Sequence, residues 1–408
     1  MNKKKILVVS QYFFPEQFRI NDICKSWIKR GYEVTVLTGI PNYPKGDFYE
    51  GYGYKKNRTE IYEGIKIKRI PIIPRKKSSL MMGLNYLSFV ISGEIWKICN
   101  QEQFDLVFIY EVSPMTQALP AVRIAKKLKI PCYIYVMDLW PENFEIITGI
   151  THPMVITPLN HMVDYIYKNC QKVFTASKSF KKAVMSRGIE SEKVIFWPQY
   201  AEEFYRITNQ KSKKLLYDGK INITFAGNVG IAQGLEILPG LGERMKAQQM
   251  NIRFNIVGDG RYKKELMKEI ENKNLHEYFH FINSVPATEI PEILAGSDFS
   301  FISLQENDIF SMTIPAKLQS SMACGKPILL SANGEVAEII KKARCGCIGK
   351  AGDIDTLFNN LKEIEKLSTE EIEILGNNSR EYFEQEYEKE KLLSIMDSYI
   401  DKGVSEYV

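Results

Sequence analysis

The chain has no run of about 18 apolar residues, which excludes a membrane-spanning helix of ordinary length. It has no paired Cys-x-x-Cys framework. Its seven cysteines, Cys24, Cys99, Cys132, Cys170, Cys324, Cys345 and Cys347, are odd in number and scattered through apolar stretches. That pattern excludes a disulfide scaffold and predicts reduced thiols in a cytoplasmic protein. No set of ligand-type residues has metal-site spacing, and Cys345 and Cys347 stand too isolated to form one. Internal repeats and low-complexity linkers are absent too, so solenoids and disordered tethers are excluded. The opening apolar run, residues 6–10, is too short for a signal-peptide core and reads as a first strand.

What remains is an ordinary globular balance over 408 residues, with 45% hydrophobic and 25% charged. That length predicts two or three domains. The formal charge is only +5, but it is unevenly placed. Residues 1–198 hold 29 Lys and Arg against 17 Asp and Glu; the rest hold 25 against 32. A basic first half points to an anionic partner, either a membrane surface or a phosphate-bearing ligand.

Short β-branched runs alternate with helical patterns along the whole chain. Strands are predicted at 6–9, 33–38, 104–110, 131–137 and 172–176, with a helix over 21–30 closed by Gly31. After a break at Trp197-Pro198-Gln199-Tyr200, further strands are predicted at 222–226, 254–257, 280–282, 299–303 and 327–330. This rhythm predicts an α/β protein of two doubly wound, Rossmann-like domains in series, about 1–198 and 199–385. A helical tail, 386–408, is expected to pack back on the first domain. In such sheets ligands sit beyond the carboxyl ends of the strands, and the two domains are expected to face across a cleft.

The loops at those ends hold the candidates. Arg19 lies after the first strand, near a helix start that would favour phosphate. Thr38-Gly39-Ile40-Pro41-Asn42-Tyr43-Pro44-Lys45-Gly46 is stiff and shaped. It is suited either to recognising a polar acceptor through Asn42 and Tyr43 or to a rigid connection. Glu111 and Asp138 follow the third and fourth strands, where either could orient a sugar hydroxyl or assist proton transfer. Asp138 stands beside Trp140, a pairing suited to a carbohydrate, whereas Glu111 could also be a surface charge.

In the second half, Gly227, Gly230 and Gly234 frame Asn228 and Gln233 after a strand, with spacing unlike Gly-x-Gly-x-x-Gly. Gly258-Asp259-Gly260 is a second glycine turn. Both allow close backbone approach to a diphosphate. Pro315 suits the first position of a short helix and Gly325 its C′ position. Ser311 and Thr313 precede that helix and could cap it or meet a ligand. Lys317 falls in its first turn, where a cation opposes the helix dipole. That local conflict marks a residue serving a ligand. Finally, Arg75-Lys76-Lys77 precede an apolar helix over 80–91, which either dips into an anionic membrane surface or faces the core.

These segments together resemble bacterial glycosyltransferases of family 4, of GT-B architecture, in the branch of capsule and O-antigen amino-sugar transferases of the fucosamine type. The resemblance covers nearly the whole chain and is carried by residues 11–16, 38–46, 138–142, 227–234, 257–260 and 315–328. It implies retaining transfer of an N-acetylated amino sugar from a UDP-sugar to a polyprenyl-pyrophosphate-linked saccharide. The enzyme would be peripheral on the inner face of the cell membrane, with no metal, no cofactor and no nucleic-acid partner. Donor contacts would come from Asn228, Gln233, Gly258, Asp259, Gly260, Ser284, Val285, Pro315 and Lys317, with Asn283-Ser284-Val285 holding the base. Asp138 and Glu111 would act at the reacting centre, and Arg19, Asn42 and Tyr43 on the phosphate or acceptor side.

The chain departs from the family where Met312 and Ser320 replace a Glu pair. Asn228 and Gln233 replace Arg and Lys, and Tyr110, followed by Glu111, replaces a His. Charge balance at a diphosphate then rests on Lys317, helix amides and Arg19. A GT-B nucleotide-sugar 2-epimerase and a non-catalytic nucleotide-sugar-binding partner are the alternatives.

Overall fold

The computed structural model describes residues 3–76 and 78–405. Lys77 of the basic cluster lies outside the described residues. The chain forms two compact units, 1–197 with 393–408, and 198–392.

The first unit is built on one eight-stranded sheet. Its strands are β1 (Lys5–Val9), β2 (Glu33–Gly39), β3 (Thr59–Tyr62), β4 (Ile65–Ile70), β5 (Leu106–Glu111), β6 (Cys132–Val136), β7 (Lys172–Thr175) and β8 (Val194–Phe196). The spatial order is β3-β4-β2-β1-β5-β6-β7-β8. Every pairing is parallel except that of β3 with β4. Central strands β5 and β6 are buried along their whole length, as strands covered on both faces must be. The helices are α1 (Arg19–Lys29), α2 (Ser79–Cys99), α3 (Ala118–Leu128), α4 (Glu142–Thr148), α5 (Pro153–Lys168) and α6 (Lys178–Ser186).

The hairpin β3–β4 was not expected from the sequence. Its Ile-Lys-Ile-Lys alternation buries only Ile65 and Ile67 of those four, a one-sided pattern unlike that of the central strands. Glu63 and Gly64 turn it, both at positive φ, as a type I′ hairpin turn requires. β8 also escaped notice, being three residues long.

The second unit carries β9 (Ile221–Ala226), β10 (Ile252–Val257), β11 (Phe279–Ile282), β12 (Phe299–Ser303), β13 (Ile328–Ser331) and β14 (Gly346–Gly349). They run parallel in the order β11-β10-β9-β12-β13-β14. That is the 3-2-1-4-5-6 order of a dinucleotide-type doubly wound sheet. Its core is aromatic, with Phe254 stacked on Phe279 and edge-on to Phe301. Its helices are α7 (Leu238–Ala247), α8 (Lys263–Asn272), α9 (Ile290–Ala295), α10 (Asp308–Ser311), α11 (Ala316–Ala323), α12 (Glu335–Ala343), α13 (Ile354–Ile364) and α14 (Thr369–Glu386). β14, Gly-Cys-Ile-Gly, was hidden by its glycines.

The last helix, α15 (Lys389–Ser405), starts in the second unit. From residue 393 it is part of the first, so the boundary lies beyond the expected 385. There Asp401 pairs with Lys4 and Asp397 with Arg30, while the Tyr133 hydroxyl donates to the Tyr399 carbonyl at 2.7 Å.

In each sheet the strand order reverses at one place, between β1 and β5 and between β9 and β12. Loops leaving the carboxyl ends of those strands diverge and open a crevice. That places the 10–18 and 111–117 loops in the first unit and the 227–234 and 304–315 loops in the second.

Glycines on α2 separate packing from propensity. A Cβ on Gly93 would lie 2.7 Å from the Pro120 ring of α3, whereas one on Gly83 meets nothing within 4 Å. Gly93→Val is expected to cost about 2 kcal/mol by overpacking. Gly83→Ala should add about 0.5–1 kcal/mol through helix propensity. Urea unfolding of each variant checks both signs.

Candidate functional site

In the second unit two glycine turns lie side by side. Gly227 leaves β9 with φ of 149° and Gly258 leaves β10 with φ of 137°. The Gly227 amide donates to the Val257 carbonyl and the Val229 amide to the Asp259 carbonyl, both at 2.9 Å. A Cβ on Gly258 would overlap the Gly227 carbonyl oxygen, and one on Gly260 the Val229 carbonyl oxygen. Those two glycines therefore serve the packing of one turn on the other, not only the approach of a ligand. Lys263, at the start of α8, locks the arrangement from beneath. Its buried ammonium donates to the Gly258 carbonyl at 2.7 Å, the Asn283 side-chain oxygen at 3.1 Å and the Ile282 carbonyl at 3.3 Å. Nothing in the sequence distinguished Lys263 from its neighbours Lys264 and Lys268.

Lys317 enters this corner from α11. Its ammonium sits 3.8 Å from the centre of the Phe225 ring and 3.3 Å from where a Cβ of Gly227 would stand. The nitrogen is sealed from solvent without a hydrogen-bond partner. Burial lowers its pKa to about 7. This is the reverse of a snorkelling lysine, which hides its stem and wets its charge. A cation desolvated without a partner is costly, and perturbed groups of this kind cluster at functional sites.

The helix boundary needs one correction. Pro315 is the N-cap, with φ of −69° and ψ of 135°, and Ala316 is the first helical residue. Proline has no side-chain acceptor, so the first amides of α11 stay uncapped. Gly325, at φ of 64°, is at C′ as expected. Ser311 and Thr313 are not free for a ligand. Their hydroxyls donate back to the Asp308 carbonyl at 2.6 Å and the Ile309 carbonyl at 2.9 Å.

The other expected donor residues divide. Asn228, Asp259 and Ser284 are exposed. Asp259 accepts the Gly260 amide at 2.8 Å, and Gln233 accepts the Gly230 amide at 3.3 Å. The Val285 side chain packs against the small cluster of Leu215, Val257, Ile282 and Ile293, so only its backbone is left for a base.

In the first unit the organiser is Glu16, which the sequence offered only as part of a motif. One of its oxygens accepts the amides of Asn42 at 2.8 Å and Tyr43 at 2.6 Å, the other that of Phe13 at 3.2 Å. It ties the loop after β1 to the loop after β2. Burial pushes its carboxyl up to about 7, against the pull of those three amides. Asn42 proves to be a brace and not a contact. It is fully buried, donating to the Ile40 carbonyl at 3.0 Å and accepting the Arg75 amide at 3.1 Å. Tyr43 is 38% exposed and packs on Tyr12 and Phe18, with the Arg75 guanidinium 5.4 Å from its ring centre. Arg19 is the first residue of α1 and half-buried.

The two candidate acids have different fates. Glu111, the last residue of β5, is wholly buried, with the backbone amides of Met137 and Asp138 beside its carboxyl. Burial, reinforced by the neighbouring Asp138, raises its pKa well above the ordinary range. It is therefore an acid enclosed within the sheet and not a surface charge. Asp138 accepts the Ser113 amide at 2.7 Å and keeps partial exposure. Burial raises its pKa, opposed by hydrogen bonds from Ser113 and Asn143. Trp140 donates its indole N–H to the Ser113 hydroxyl at 3.0 Å, which joins the loops after β5 and β6. Of the pair, only Asp138 keeps contact with solvent.

Comparison with known proteins follows this division. The model described as Glycosyltransferase Family 4 matches residues 18–199, and that described as Glycosyl transferases group 1 matches 206–382. Together they span most of the chain. The protein is a family 4 glycosyltransferase. This GT-B enzyme is 24% identical to the putative colanic acid biosynthesis glycosyl transferase WcaI of Escherichia coli, over 80% of this chain and 83% of that one. In fold it is similar to sucrose-phosphate synthase from Thermosynechococcus elongatus, with a TM-score of 0.76 at 13% identity, covering 98% and 99% of the two chains. It is also similar to Anabaena HepE in complex with UDP and glucose, with a TM-score of 0.71 at 14% identity, covering 98% and 100%.

Lys317→Met should stabilise the unliganded protein by about 1–3 kcal/mol at pH 7, because it removes an uncompensated buried charge. The gain should shrink as the pH rises from 7 towards 10. Over that range folding releases the lysine's proton, and the release becomes easier as the pH rises. Denaturant unfolding at several pH values checks both the sign and the trend.

Proposed function

We propose that this glycosyltransferase acts in polysaccharide synthesis at the cytoplasmic membrane face. It would transfer an N-acetylated amino sugar from a UDP-sugar to a polyprenyl-pyrophosphate-linked saccharide, with retention of configuration. The carrying observation is Lys317, a sealed, partnerless ammonium at the uncapped start of α11 and against the bare α-carbon of Gly227. A diphosphate there would gain a full cation and the first amides of a helix. The name of the WcaI relative supports the polysaccharide, and the HepE complex supports a UDP donor.

The chemistry uses what the residues offer. The bond from the sugar's anomeric carbon to the diphosphate oxygen breaks, and its electron pair leaves with UDP. Lys317 and the α11 amides stabilise the charge that develops on that oxygen. The acceptor hydroxyl forms the new bond to the same carbon, and its proton passes to the departing phosphate. Asp138 orients that hydroxyl.

Among the described residues, no three His, Cys, Asp or Glu side chains stand as metal ligands would. Activity is expected to be independent of divalent ions, and full loss on adding EDTA would contradict this.

Turnover of a panel of UDP-sugars on a lipid-pyrophosphate saccharide, read by mass, tests the reaction. Lys317→Ala is expected to lower kcat/KM by about 10²–10³. Asp138→Asn should lower kcat while UDP affinity stays unchanged.

The pH dependence of binding has a definite sign. Free Lys317 titrates at about 7, and a bound diphosphate raises that value, so binding takes up a proton above pH 7. UDP affinity should therefore fall between pH 7 and 9, by up to about tenfold per unit, and lie flat in Lys317→Met. Calorimetry in two buffers of different ionisation heat measures the proton directly. Unchanged UDP binding in Lys317→Met would remove the phosphate assignment.

A further inference from the structure

α2 presents six large aliphatic side chains to solvent: Leu80, Leu84, Leu87, Ile91, Ile95 and Ile98, each between 37% and 75% exposed. At about 100° per residue they fall within an arc of about 80°. On the opposite side stand its buried residues, Asn85, Phe89 and Gly93.

The helix cannot roll to hide the stripe. The Asn85 side chain accepts from Gln11 Nε2 and donates to the Ile73 carbonyl, both at 2.6 Å. Gly93 closes against Pro120, with no room for a Cβ. Rotation would break one buried and one part-buried hydrogen bond and drive side chains into α3. The stripe is therefore lasting surface, and a contiguous apolar surface of this kind marks an interaction site.

Charge selects the occupant. The only acid on α2 is Glu94, and it is paired with both Lys97 and Arg123. The neighbouring α3 has no acid and ends in exposed Lys126 and Lys127, with exposed Lys129 just beyond. Lys127 Nζ donates to the Lys97 carbonyl at 2.6 Å, which brings these cations to the C-terminal half of the stripe. A second copy of this chain, docked by a two-fold axis on the stripe, would set these cations against their own images. No helix among the described residues is long and apolar enough to cross a membrane. An anionic lipid surface satisfies both features, since it takes aliphatic side chains below its head groups and lysines among them.

We propose that α2 is an interfacial helix. It lays the stripe from Leu80 to Ile98 flat in the surface of an anionic bilayer, with the lysines of α3 on the head groups. This sharpens the membrane-side reading of the acceptor and rests on it for its purpose, though the docking is measurable without turnover.

The test is co-sedimentation of the full chain with vesicles of phosphatidylcholine containing about 30% phosphatidylglycerol, and with phosphatidylcholine alone. The wild type is expected to bind the anionic vesicles and to release in about 0.5 M salt. Leu87→Glu with Ile91→Glu replaces exposed side chains only, so circular dichroism and Tm should not change. The pair is expected to weaken partitioning by about tenfold or more. Lys126→Glu with Lys127→Glu should weaken it too and flatten its salt dependence. UDP binding by calorimetry should be the same in all three proteins, so failure of the donor assignment and failure of the docking register separately. The proposal is overturned if the wild type stays in the supernatant with anionic vesicles or if the Leu87/Ile91 variant binds them equally. It is also overturned if light scattering shows a wild-type dimer that this variant makes monomeric.

Discussion

A buried ammonium without a hydrogen-bond partner is a debt that a folded protein seldom carries, and Lys317 carries one in its resting state. It can do so because everything around it is fixed by other forces. Phe225 belongs to the central strand β9, whose neighbours β10 and β12 hold it on both sides. Gly227 has no side chain to push the cation away. The turn after β10 is clasped to Gly227 and Val229 by two backbone hydrogen bonds and pinned from below by Lys263. Two lysines thus work in opposite ways. Lys263 is satisfied and structural; Lys317 is unsatisfied and available.

The same logic separates the two acids of the first unit. Glu111 ends β5 and Asp138 follows the adjacent parallel strand β6, and the Asp138 charge adds to the rise in the Glu111 pKa. Full burial pushes the Glu111 carboxyl well above the ordinary range. Asp138 gains the Ser113 amide and some solvent, which oppose the upward push of burial on its carboxyl. Glu16 plays the part that Lys263 plays in the other unit, since one buried charge-bearing group collects the backbone of two loops. Each unit thus holds its strand-end loops together with a buried brace.

Much of this was legible in the chain itself. The βα rhythm, the break at Trp197–Tyr200 and the bracketing of α11 by Pro315 and Gly325 follow from local preferences. Lys317 stood out because a cation in a helix's first turn opposes the local field. Other features were not legible. Lys263 and Glu16 look like any other surface charge until the fold buries them. Asn42 looked like a ligand contact, and its spent amide shows otherwise. The β3–β4 hairpin and β14 were masked by lysine alternation and by glycine.

By itself the sequence determined the class of fold, the order of its elements and the residue types at the strand ends, because these depend on periodicity and turn chemistry within short windows. It also determined that residues 80–91 would be an apolar helix. Tertiary structure alone decided which charges are sealed and which are wet, because burial depends on partners far away in the chain. Asn85 and Gly93 set the roll of α2 through Gln11, Ile73 and Pro120, and only that roll turned a helix that could have faced the core into an exposed aliphatic stripe.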